Sequence, residues 1–149
     1  MKPSEIRELI LAERGKVVGL LDQAWLAAEA VIDGKEDFQV LHSLAHGLED
    51  ALVDLFDEEE EILEPALRQT DSWGDVRAMR LEAFLRGQRK AVHGTCGEVA
   101  KGRMHPRRAA EEIMALVDAV RERLARSEHE FLSPDLLRDD LVSIRQTGG

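Results

Sequence analysis

Residues Leu52 to Leu67 read Leu-Val-Asp-Leu-Phe-Asp-Glu-Glu-Glu-Glu-Ile-Leu-Glu-Pro-Ala-Leu. Leu52, Leu55, Glu59, Ile62 and Leu63 recur at steps of three and four, so they share one face of a helix. All of them are apolar except Glu59, a carboxylate on the stripe that a bundle would bury. Two placements are open for it. Either the helix meets something cationic in the core, or Glu59 lies at the edge of the stripe and reaches water.

Working outward, this stretch belongs to a helix expected from about residue 36 to about residue 68, with Leu41, Leu44, Leu48, Leu52, Leu55 and Ile62 inward. Pro65 should distort its last turn, because the ring displaces the carbonyl four residues back. Upstream, Pro3-Ser4 followed by Glu5 marks a helix start with Ser4 as N-cap. Its inward face is expected to be Ile6, Ile10, Glu13, Val17, Leu20, Leu21, Ala24, Ala28 and Val31, and Gly34 ends it. Downstream, a loop with Asp71 or Ser72 as cap leads to a third helix over about residues 73–101. Its stripe is Leu81, Phe84, Leu85, Gln88, Ala91, Val92, Thr95 and Val99. Gly102 stops it, and Pro106 opens a fourth helix lined by Ile113, Leu116, Val117, Val120, Leu124 and Phe131. Ser133-Pro134-Asp135 should start a final turn or short helix, and residues 146–149 should fray. Four amphipathic segments of about 25–30 residues with short loops predict an all-α, antiparallel up-down-up-down four-helix bundle. One domain over residues 1–149 is expected, with its core in about 4–135.

Composition narrows the function classes. The 149 residues carry a formal charge of -10, which disfavours nucleic acid and anionic membranes as partners. Cys96 is the single cysteine, so no internal disulfide can form, and a reducing cytoplasmic setting is expected. Residues 1–6 carry no apolar run, so no signal peptide is expected, and no stretch is apolar for long enough to span a membrane.

The opening stretch also has an echo. Leu55-x3-Glu59-x3-Leu63-x-Pro65 returns as Leu124-x3-Glu128-x3-Leu132-x-Pro134. In an up-down bundle the second and fourth helices run the same way, so Glu59 and Glu128 are expected at one level, facing each other across the core. Arg14 and Leu85 should lie near that level. This doubled pattern resembles the hemerythrin-like (cation-binding) domain family. Phe56, Glu59, Glu60, Leu63, Pro65 and Leu67 match the family's second-helix motif, and Glu128, Leu132 and Pro134 its looser repeat. Residues 13–22 and 84–89 are similar to the family's first and third helices. The resemblance covers roughly residues 5 to 135 and implies a bundle holding two iron atoms, ligated by histidines from each helix and bridged by carboxylates.

The chain departs from that pattern at the ligands. Arg14, Leu55, Leu85 and Leu124 stand at the histidine positions, with Glu13 and Ala83 as the alternatives one alignment step away. Only the carboxylates Glu59 and Glu128 remain, and two carboxylates without imidazole make a poor iron site. Arg14 is a permanent cation with five donors, suited to bridging carboxylates. It could pair with Glu59, Glu128 or both in place of the metals. It sits about 60° off the expected stripe centre, so it could equally snorkel to water. The expectation is therefore a metal-free, non-enzymatic bundle acting as an interaction or regulatory module toward an unidentified protein partner. The alternative is a metal-binding protein of oxygen, iron or peroxide handling, with a di-iron site rebuilt from Glu13, Glu59, Glu128 and His129.

Other groups read as structural. His42 and His46 have chelating i, i+4 spacing and His93 should lie level with His46, but two ligands do not close a tetrahedral site. His93 and Cys96 lack an orienting third residue. The acidic run Asp57–Glu61 reads as a solvated helix end, neutralised in part by Arg77, Arg80, Arg86, Arg89 and Lys90. Gly15 and Gly19, and Gly87, Gly94 and Gly97, each cost about 1 kcal/mol in a helix. Close helix approach should compensate, inside the bundle or in a homodimer through the outward face that carries Ala83, Gly87, Gly94 and Gly97.

Overall fold

The computed structural model describes residues 1–140, so the expected frayed end at 146–149 lies outside the described residues. Among these the chain is all-helical, without strands, and forms a four-helix bundle. Helix α1 spans Pro3–Ile32. Helix α2 spans Phe38–Glu58 and continues through a π-helical turn, Glu59–Leu63, into a last α-helical stretch, Glu64–Arg68. Helix α3 spans Gly74–Ala100 and α4 spans Pro106–Phe131. No helix among the described residues is long and apolar enough to cross a membrane.

The caps are local chemistry. α1 begins two residues earlier than the Ser4 cap predicts. Lys2 is the cap residue, its backbone N–H donating to Glu5 at 2.9 Å, and Pro3 takes the first helical position, where no N–H is needed. Ser4 instead donates through both backbone N–H and hydroxyl to Asp139, at 3.0 and 2.8 Å, tying the start of α1 to the stretch after α4. Gly34, at φ 74°, closes α1: its N–H bonds Val31 and that of Lys35 bonds Ala30. Asp37 caps α2 by accepting from the Gln39 N–H, and His105 Nδ1 accepts from the Arg107 N–H to cap α4. At the start of α3, Gly74 lies so close to the Leu67 and Arg68 carbonyls that a Cβ would sit 2.5 and 2.8 Å from their oxygens.

Each helix packs against two neighbours: α1 against α2 and α4, and α3 against the same two. Three contacts fix α2 on α3. His42 Nε2 donates to the Ala100 carbonyl at 3.0 Å, His93 meets Glu49 at 2.8 Å, and Arg89 meets Asp57 and Glu60 at 2.8 Å. The first residues of α2 thus lie beside the last of α3.

The core runs the length of the bundle through Ile10, Leu21, Leu41, Leu52, Phe56, Leu81, Ile113 and Phe131. Each such side chain, fully buried, is worth about 1.5–3 kcal/mol against exposure. The stripes differ in detail from those expected. In α1, Arg14 is buried and Glu13 only half-buried, while Leu20 is exposed. In α3, Cys96 is buried and Thr95 half-buried; in α2, Ala45 is buried and Leu44 half-buried. The glycines are a second correction. A Cβ at Gly15, Gly19, Gly87, Gly94 or Gly97 would meet nothing within 4 Å, so close packing inside the chain does not account for them.

Candidate functional site

Glu59 is fully buried, at 0% exposure, and Arg14 is 5% exposed. The two form a bidentate pair: Arg14 Nη2 donates to Glu59 Oε1 at 2.7 Å and Nε to Oε2 at 3.2 Å. The remaining arm, Nη1, donates to the Leu124 carbonyl at 3.1 Å and to Ser127 Oγ at 2.9 Å. The Ser127 hydroxyl in turn donates a hydrogen bond to the Leu124 carbonyl at 3.0 Å. One guanidinium therefore joins α1, the π turn after α2, and α4. No buried side-chain polar atom is left without a partner among the described residues. A planar fork on a carboxylate is the geometry in which arginine binds most strongly. Burial without orphaned donors is the condition under which such a pair persists in a core.

Arg14 reaches this position because it lies on the stripe, not beside it. Pro3, Ile6, Ile10, Arg14, Val17, Leu21, Ala24, Ala28 and Val31 are the buried positions of α1, in steps of three and four. Counting Glu13 and Leu20 as inward moves the stripe centre about 20° away from Arg14.

Glu128 is not part of the site. It is exposed, on the rim of a surface groove of about 410 Å³ between α1 and α4, with Leu11, Gly15, Val18 and Ala125. Ser127 takes the inward position instead. The repeat Leu-x3-Glu-x3-Leu is the same in both copies, but its phase is not. Before Glu59 the stripe steps from Leu52 to Leu55, three residues; before Glu128 it steps from Val120 to Leu124, four. At about 100° per residue, the first step swings about 60° one way and the second about 40° the other, so the same spacing lands inside in one helix and outside in the other. Ser127 could have been found from the run Ile113, Val117, Val120, Leu124, Ser127, Phe131.

Leu55, Leu85 and Leu124 are buried in the core, and Leu124 meets Arg14 through its backbone carbonyl. Glu13 is half-buried and paired with Lys16 at 3.0 Å, and His129 is exposed. The ligands invoked for a rebuilt iron centre are therefore not assembled. Among the described residues Glu59 is the one acidic side chain in the core, and its two oxygens already hold Arg14. The surrounding leucines donate nothing. These residues do not fit a di-iron centre, which takes imidazole nitrogens and several carboxylates from facing helices. Among the described residues no group of three or more His, Cys, Asp or Glu is placed to hold a metal ion.

The other titratable groups have structural partners. His42 and His46 stack edge-on, centroids 4.9 Å apart, and His42 is committed to the Ala100 carbonyl. Cys96 is buried, and burial, with Glu49 near, pushes its thiol up to about 12, so it is no nucleophile at neutral pH. Of the basic residues expected to neutralise the acidic run, Arg89 reaches it at Asp57 and Glu60. Arg77, Arg80 and Arg86 pair elsewhere, with Asp71, Glu130 and Glu82. Glu58 is raised above its ordinary range, by desolvation first and then by the charge of Glu13. Compared with family models, with characterised proteins and with solved structures, the chain matches none.

Proposed function

We propose that this chain is a hemerythrin-like, antiparallel up-down-up-down bundle whose metal centre has been replaced by a buried ion pair, and that it works without catalysis as an interaction or regulatory module. The observation that carries the reading is Arg14, bidentate on Glu59 at the centre of the stripe. A fixed guanidinium occupies both oxygens that would bridge a metal pair, and it repels any cation nearby. Leu55, Leu85 and Leu124, which stand where the resemblance would put ligands, are buried apolar side chains, and that favours a closed core over an open coordination sphere. No nucleophile stands beside a base with an orienting group, so no reaction is assigned. The resemblance of Phe56 to Leu67, and of α1 and α3, supports the family reading.

The test is elemental. Purified from iron-replete cells, the chain should carry no stoichiometric iron and show no near-ultraviolet charge-transfer band. About two irons per chain, with that band, would overturn the proposal.

A further inference from the structure

Outside the core, α3 carries an exposed face whose apolar residues and glycines the other described residues leave uncovered. At about 100° per residue Val76, Arg80, Ala83, Gly87, Lys90 and Gly94 fall within about 40° of one line along the helix, and all are exposed. Three large apolar side chains crowd its first turns: Trp73 at 64% exposure, Met79 at 63% and Val76 at 40%. Tryptophan, methionine and arginine are the residues that protein interfaces concentrate. Farther along, the face turns small, at Gly87 and Gly94, where a Cβ would meet nothing. Each glycine weakens the helix, and only something outside the chain can use the close approach it permits.

Charge selects the occupant. The chain as a whole carries -10, yet α3 has five basic residues against three acidic ones. On the outward line itself Arg80, which is 66% exposed and also meets Glu130 of α4 at 3.6 Å, and Lys90 stand about 15 Å apart at 1.5 Å per residue, with no acid between them on that line. A second copy of α3 is a poor fit. Laid antiparallel with Ala83 against Gly87, it brings Arg80 onto Lys90; laid parallel, it brings each cation onto itself. The line offers two cations, Arg80 and Lys90, too few to track the phosphates of a nucleic acid.

We infer that the outward face of α3 is the docking site for an acidic amphipathic helix of a partner protein. Apolar residues of that helix would cover Trp73, Val76 and Met79, its backbone would close on Gly87 and Gly94, and its carboxylates would meet Arg80 and Lys90. The inference rests on the interaction-module reading and supplies its partner chemistry.

The test uses the full chain and two synthetic helical peptides. Both carry leucine along one face; one is flanked by glutamate, the other by lysine at the same positions. Binding is followed by calorimetry and by Trp73 fluorescence in a Trp25→Phe background. The acidic peptide should bind, and the basic one about tenfold more weakly or not at all. Met79→Asp should weaken the acidic peptide about tenfold while leaving the denaturation midpoint unchanged, since Met79 is solvent-facing. Equal binding of both peptides, no binding, or indifference to Met79→Asp overturns the inference. So does a concentration-dependent dimer that Met79→Asp disperses, which would seat a second copy on this face. Iron content separates the two proposals: an iron-free chain that ignores the acidic peptide loses this docking site and keeps the module reading, whereas stoichiometric iron removes the module reading whatever the peptides do.

Discussion

Replacing Glu59 with glutamine takes one charge out of the Arg14–Glu59 pair and strands the other. The pair is 5% and 0% exposed, so neither group can turn to water without opening the bundle. Two unit charges about 4 Å apart attract by about 4 kcal/mol at an effective dielectric constant of about 20. Leaving a buried partner uncompensated typically costs about 3–5 kcal/mol. For a chain of this size each kcal/mol lowers the melting temperature by about 2–4 °C, so Glu59→Gln should lower it by about 6–20 °C. The double variant Arg14→Met, Glu59→Leu should recover most of that loss or exceed the parent, because buried ion pairs can be replaced by well-packed apolar groups of similar volume. The Leu124 carbonyl would keep its bond from Ser127, so the replacement leaves no new orphan there. Urea denaturation of the parent, both single variants and the double variant gives the coupling energy directly. A loss below about 1 kcal/mol for Glu59→Gln, the range of solvent-exposed pairs, would refute a desolvated pair. A double variant no more stable than the worse single variant would refute the reasoning about replacement.

Gly74→Ala should destabilise by about 1–3 kcal/mol, because its Cβ would lie 2.5 Å from the Leu67 carbonyl oxygen, which is backbone and cannot swing aside. Gly19→Ala, where a Cβ meets open space, should stabilise by about 1 kcal/mol; paired melting curves check both. Glu58 holds its proton to higher pH folded than unfolded, so its contribution to stability falls as pH rises from about its ordinary 4.5 through the folded value. Glu58→Gln should therefore be more stable than the parent at pH 7, and the difference should vanish well below pH 4.5, where both states are protonated. Cys96, raised to about 12 by burial, should resist thiol reagents at pH 7.5 in the native chain and react at once in denaturant.

What was legible in the sequence was periodicity and punctuation. The four helices, the stops at Gly34 and Gly102 and the start at Pro106 follow from residue types whose backbone preferences act locally. Phase was harder. Arg14 was placed too near the edge of its stripe and Glu128 too far inside. A long charged side chain gives no hydropathy signal for facing inward, and a four-residue spacing does not fix direction unless the preceding step is known. Ser127 was missed for the same reason: a small polar residue in an apolar run looks like a gap. The outward face of α3 showed in the sequence through its glycines, whereas the exposure of Trp73, Val76 and Met79 at its start did not.

The π turn is where local chemistry and the site meet. Pro65 has no N–H to give, and in a regular helix its ring would press on the carbonyl of Glu61, four residues back. The chain answers by widening the turn just before it: over Glu59–Leu63 the helix is π-type, and the Glu64 N–H reaches back five residues to the Glu59 carbonyl. That widening also sets direction. In a regular α-helix the two four-residue steps from Glu59 to Leu63 to Leu67 would carry the stripe about 80° around the axis. A turn that holds more residues absorbs the excess, and Glu59, Leu63 and Leu67 are all fully buried. The proline therefore does more than end a helix. It accounts for the wide turn that lets a carboxylate and the two leucines after it share one inward line, and the carboxylate on that line is the one that holds Arg14.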